Sequence, residues 1–114
     1  MSDRPEIKDD AMYLLLREGN VDSFNEERAK GTKFDLTSSD FRGVDLRDIN
    51  ADGLDLGNCY FRQADLRGID LRGANLEGAS IHGARVSGTY FPEALGAEEI
   101  TLSLVHGTRM RYRR

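Results

Sequence analysis

A five-residue period runs without a slip over residues 34–93, twelve units in all. Each unit has an apolar centre, beginning Leu36, Phe41, Leu46, Ala51 and ending Leu76, Ile81, Val86, Phe91. Two positions before each centre stands an uncharged and mostly small residue, such as Ser39, Cys59, Ala64, Ala74 or Ala84. Apolar residues five apart drift around a helix of 3.6 residues per turn, and on a strand they change face at every step. Short fixed repeats instead build stacked solenoids. A unit made of one short extended stretch and one tight corner lets four units close a square coil. The centre and the small residue then point inward, and the other three positions point out.

Adding twenty to a residue number gives its expected neighbour in the next coil. One side stacks Leu36, Leu56 and Leu76, and the next stacks Phe41, Phe61 and Ile81. The third stacks Leu46, Leu66 and Val86, and the fourth Ala51, Leu71 and Phe91. Ala51 is small for a centre and Ile49 large for the small position, a local exchange that conserves volume. Phe34, Val44, Ile49 and Leu54 predict that the first coil is wider than the last. Glycine at the last position of units such as 64–68 and 74–78 suits a type II corner, which needs a positive φ there. Gly43, Gly53, Gly73, Gly83 and Gly88 read the same way, and Asn58 tolerates that conformation. Ser38, Asp48 and Gln63 predict a different turn.

Ala64-Asp65-Leu66-Arg67-Gly68 and Ala74-Asn75-Leu76-Glu77-Gly78 carry a family resemblance. The segment resembles the pentapeptide-repeat proteins, whose units read A-D/N-L-x-x. The resemblance implies a β-solenoid: a right-handed quadrilateral parallel β-helix of about three coils, roughly 14 Å tall at one β-spacing per coil.

An open solenoid end exposes apolar side chains and unpaired backbone, so the flanks are expected to cover it. Residues 5–18 predict a helix starting at Pro5, with Ile7, Ala11, Leu14 and Leu15 on its buried face. Asn20 predicts the cap of a second helix over 21–30, stopped by Gly31, with Val21 and Phe24 over the first coil. After Phe91 the period ends. Ala97 to about Val105 predicts a helix with Ile100, Leu104 and Val105 on one face and Gly107 as its stop. Residues 108–114 alternate polar and apolar like a strand; pairing with the last coil or with a second subunit are both open, and a solvated end is the plainer expectation. The chain reads as a single domain: a helical cap (1–32), the repeat (33–93), and a C-terminal helix with a basic tail (94–114).

No enzyme is expected, and no cofactor. The aspartates before centres (35, 45, 55, 65, 70) are accounted for by the repeat, and no helix follows the glycines as a phosphate loop requires. His82 and His106 lack partners at metal-ligand spacing. The lone Cys59 falls at an inward position and reads as a buried structural thiol. No apolar run is long enough to span a membrane and no signal pattern opens the chain, so a soluble cytoplasmic protein is expected.

Charge carries the remaining signal. Arg42 lies under Arg62 and Arg47 under Arg67, which marks these four as a candidate partner-binding patch. Arg42 with Asp45, Arg62 with Asp65, and Arg67 with Asp70 are candidate ion pairs across corners. Ile100, Leu104, Met110 and Tyr112 are the candidate tail or dimer contacts, several members of the family being dimers through C-terminal elements. The expected function is a non-enzymatic protein-interaction module whose partner is an unidentified protein. The alternative implied by the resemblance is a DNA mimic that binds DNA gyrase. A net charge of −4, arginines among the acids and a short rod argue against it. The acidic balance also argues against nucleic acid as a partner, despite the arginines at 109, 111, 113 and 114.

Overall fold

The computed structural model describes residues 6–113. Parallel bridges join Asp40 to Tyr60, Asp45 to Asp65, Asp55 to Asn75, Tyr60 to Ser80, Asp65 to Arg85 and Asp70 to Tyr90. Every one of these pairs is twenty residues apart, so four units separate a residue from the one stacked on it. The bridges are isolated because each extended stretch is a few residues long before the chain turns. The ladder is regular all the same. The centre donates to the residue before the next centre in its column, as in Phe41 N–H to Tyr60 C=O at 2.8 Å and Leu46 N–H to Asp65 C=O at 3.1 Å. The return bond runs from Asp65 N–H to Val44 C=O at 2.9 Å. This is the β-solenoid that the period demands.

Centres and small positions fill the interior. Leu36, Phe41, Leu46, Ala51, Leu56, Phe61, Leu66, Leu71, Leu76 and Ile81 are all buried, and Phe41 stacks on Phe61 with ring centroids 5.5 Å apart and planes 9° apart. Cys59 is buried among them, and burial pushes its thiol pKa up to about 12, which leaves it unreactive. Val86 and Phe91, the last two centres, are only partly buried.

Two corner expectations change. Ser38, Asp48, Asn58 and Gln63 all hold positive φ (59°, 71°, 57° and 59°), the same conformation as the glycine corners. The ladder bonds on either side fix the corner, so the non-glycine residues accept the strained conformation rather than switch turn type. Gly73 is the converse, a glycine corner without positive φ. Its lack of a side chain serves space instead, because a Cβ there would run into the Asp52 carboxylate.

The N-terminal end is closed by α1 (Ala11–Arg17) and α2 (Val21–Ala29). The expected helix over 5–18 is shorter than its apolar pattern. Glu6 pairs with the first repeat units through Glu6 N–H to Ser38 C=O and Asp40 N–H to Glu6 C=O, both 2.7 Å, which holds it extended. Asp10 then caps α1 by accepting from Met12 and Tyr13 N–H. The buried face is Met12, Tyr13 and Leu16, whereas Ile7, Ala11 and Leu14 are exposed and Leu15 is half-buried. Tyr13 decides the orientation: its hydroxyl donates to Asp40 C=O at 2.5 Å and its ring lies 5.3 Å from that of Phe41. Pro5 lies outside the described residues. α2 follows expectation, with Asn20 accepting from Ser23 N–H and with Val21 and Phe24 buried, Phe24 edge-on to Phe34.

Side chains of this cap complete the open ladder. The Asn25 amide donates to Asp48 C=O and accepts from Asn50 N–H, both at 3.0 Å, as a neighbouring strand would. Arg28 donates to the carbonyls of Asn50 and Asp52, and Arg17 to that of Arg42 at 2.9 Å.

The other end is closed by α3 (Ala97–His106) and the tail. Gly107, at φ 74°, ends the helix as expected. Ile100 and Leu104 pack against the core, but Val105 is 59 % exposed, a correction to its expected face. The buried Ser103 takes that place: its Oγ accepts from Ile81 N–H at 2.9 Å and donates to Thr108 C=O at 2.6 Å. The tail pairs with the last units through Gly78 N–H to Met110 C=O and Met110 N–H to Ala79 C=O. A solvated end is therefore not what the described residues 108–113 form.

Candidate partner-binding surface

The residue before each centre sets the surface. Its side-chain oxygen accepts the N–H two residues on: Asp40 from Arg42 at 2.9 Å, Asp45 from Arg47 at 3.1 Å, Asp65 from Arg67 at 3.2 Å and Asp70 from Arg72 at 3.0 Å. Short polar side chains make such local turns readily. The turn also lays the arginine beside its own carboxylate. Arg47, Arg67 and Arg72 each place Nε and Nη2 on the two oxygens of Asp45, Asp65 and Asp70, a bidentate fork.

These contacts replace the pairs expected across corners. Arg42 meets Asp40 at 3.3 Å rather than Asp45, and Arg67 meets Asp65 at 2.7 Å rather than Asp70. Arg62 donates to the Tyr60 hydroxyl at 3.4 Å rather than to Asp65. The turn fixes the arginine on the near side of the corner, so the carboxylate beyond it is not the one it reaches. Arg47 also bridges the column, with Nε 3.4 Å from Asp65. The Arg67 fork holds the Asp65 carboxyl down at about 2, and the Arg72 fork holds Asp70 down at about 2. The Asp45 carboxyl is lowered by Arg47 in the same way, and the guanidinium pKa values are raised in turn.

The four candidate arginines therefore divide. Arg47 and Arg67 belong to a neutralised network with Asp45 and Asp65. Arg42 and Arg62 stand on the adjoining side, above the stacked rings of Phe41 and Phe61. An open groove runs between the start of α2 and the network, lined by Asn20, Asp22, Arg47, Ile49, Arg67 and Asp70. Among the C-terminal candidates, Met110 is fully buried within its own chain. Tyr112 accepts from Leu76 N–H at 2.9 Å through its hydroxyl, while its N–H donates to Glu77 at 2.6 Å. Ile100 and Leu104 face the core in part, and the exposed apolar residues of α3 are Leu102 and Val105. The sequence carries no sign that Asn25, Arg28 and Ser103 bond to the ladder, since nothing in their spacing distinguishes them from ordinary polar helix residues. Among the described residues no group of three or more metal-ligating side chains converges, and no helix is long and apolar enough to cross a membrane.

Twenty-residue stacking of five-residue units defines a repeat solenoid. Residues 55–91 match the family described as pentapeptide repeats, in eight copies. Those residues carry the pentapeptide repeat, and the bridges extend the same register back to Asp40, through units whose large small-position residues (Val44, Ile49) depart from the pattern. Comparison with curated proteins and with solved structures returns no match.

Proposed function

We propose that the protein is a non-enzymatic, cytoplasmic protein-interaction module. Its frame is a right-handed quadrilateral parallel β-helix of about three coils over residues 33–93, in one domain with α1, α2, α3 and the tail. The observation that supports this is the immobilised surface. Arginines 47, 67 and 72 are each locked to a carboxylate that is itself held by the backbone two residues on. Side chains ordered before an encounter lose little freedom in it, which favours binding. The acid column Asp45–Asp65 is neutralised by Arg47 and Arg67, which disfavours the gyrase-binding DNA-mimic reading. The reading includes self-association through the C-terminal segment, where Leu102 (44 % exposed) and Val105 supply apolar surface. Crosslinking in the native host followed by mass spectrometry tests it: one stoichiometric protein partner is expected. Recovery of none at any crosslinker length refutes the module.

A further inference from the structure

We infer that the side carrying Arg42 and Arg62 binds an acidic, extended segment of a partner protein; this rests on the interaction-module reading and on its four-sided frame. The charge of each side follows from the twenty-residue register. The side of Leu36 and Leu56 presents Asp35, Asp55 and Glu77 with no arginine. The side of Leu46 and Leu66 carries three acids against three arginines, and that of Ala51 and Leu71 three acids against Arg72 alone. Only the side of Phe41 and Phe61 is net positive, with Arg42 and Arg62 against Asp40.

That acid, the one carboxylate among the repeat residues of this side, is spent. The Asp40 side chain is 8 % exposed, and its oxygens accept from Arg42 N–H and Arg42 Nη2. Arg62 is exposed, and among the described residues no carboxylate lies within ion-pair distance of it; its Nη1 meets only the Tyr60 hydroxyl. At the lower end of this side Arg17, anchored on Arg42 C=O, is offset by Glu6, which pairs with Ser39, so the excess rests on Arg42 and Arg62. The screening length of about 8 Å at physiological salt lets this local excess act despite the acids elsewhere.

The spacing suits a peptide. Stacked positions in a parallel ladder lie roughly 4.8 Å apart, and alternate side chains of an extended chain roughly 7 Å apart, a mismatch that long Arg and Glu side chains absorb. Guanidinium forks take carboxylates in bidentate fashion, and Tyr60 beside Arg62 adds a residue type enriched at interface centres. A duplex nucleic acid is served less well, because contacts to some six to ten phosphates need more cations than this side holds, and its neighbours bring acids.

The test is fluorescence anisotropy on the full chain at 50 mM salt, with three labelled probes: (Glu-Thr)4, (Gln-Thr)4 and the oligonucleotide (dT)8. Expected is binding of (Glu-Thr)4 alone, weakened about tenfold or more by Arg62→Glu and less than about twofold by Lys33→Glu, an equal charge change elsewhere on the surface. Circular dichroism checks folding, and Arg62→Gln, expected to weaken binding severalfold, replaces Arg62→Glu if that variant unfolds. The assignment is overturned if (Glu-Thr)4 fails to bind at millimolar protein, if (Gln-Thr)4 binds equally, or if both Arg62 variants bind as the wild type does. Tighter, Arg62-dependent binding of (dT)8 overturns it in favour of nucleic acid. A crosslinked partner held equally by Arg62→Glu overturns this surface while leaving the module reading standing.

Discussion

Replacing Ser103 with alanine removes the one group that caps Ile81 N–H. Ile81 and Ser103 are both fully buried, so water cannot take over the bond. The hydroxyl serves twice, accepting from Ile81 N–H at 2.9 Å and donating to Thr108 C=O at 2.6 Å. Leaving one buried donor unsatisfied costs about 1–3 kcal/mol, whereas Thr108 is exposed and water can take over at its carbonyl. Alanine's better helix propensity returns about 0.5 kcal/mol. The net expectation is a loss of about 1.5 kcal/mol, a fall in Tm on the order of 6–12 °C for a domain of this size. Urea denaturation reads it as a lower midpoint at unchanged slope. Amide exchange localises it: Ile81 should exchange faster in Ser103→Ala, while Leu46, inside the ladder at the other end, slows or speeds only with global stability. A variant as stable as the wild type, with Ile81 still protected, would show that α3 does not complete the ladder through Ser103.

Four further outcomes are expected. Asn25→Ala should cost about 1 kcal/mol through its two ladder-like bonds, and Asn25→Asp should cost more, since a carboxylate would then face Asp48 C=O; chemical denaturation of the pair checks the order. Gln63→Gly should raise stability by about 0.5 kcal/mol by relieving a left-handed side chain, and Gly68→Ala at φ 73° should lower it by about 1 kcal/mol, read from thermal melts. Asp65 has a depressed pKa, so its contribution is present above the ordinary carboxylate range and is lost as pH falls through about 2. Asp65→Asn should therefore lower Tm at pH 7 and approach the wild type as pH falls from 4 to below 2, and a gap undiminished at pH 2 would contradict the ion-pair account. Sedimentation at high protein concentration should show a dimer that Val105→Glu, changed at an exposed position, dissociates.

The period made the register legible because side-chain size alternates with polarity at every fifth residue, and a stack offset by twenty is the arrangement that buries Phe41 on Phe61. It could not reveal the ion pairs. Whether Arg67 reaches Asp65 or Asp70 depends on which side of the corner the guanidinium lies, and that is settled by the backbone bond from Arg67 N–H to Asp65. The first helix misled for a related reason. Ile7, Ala11, Leu14 and Leu15 repeat at helical spacing, but Glu6 is held by Ser38 and Asp40, and Tyr13 is drawn in by a single carbonyl. Caps built from one amide or one hydroxyl, as at Asn25 and Ser103, leave no periodic trace.

The two ends of the ladder are closed by different devices, each keyed to particular columns: Asn25 to Asp48 and Asn50, and Ser103 to Ile81. This makes the rod's length a quantised property. An insertion of twenty residues would return every column to its place and let both ends fit as they do now. An insertion of five or ten would put one end out of the twenty-residue register and carry Ser103 away from the amide it meets now. Growth of such a protein by duplication is therefore expected to proceed in steps of twenty residues, with single units gained or lost only where an end is rebuilt.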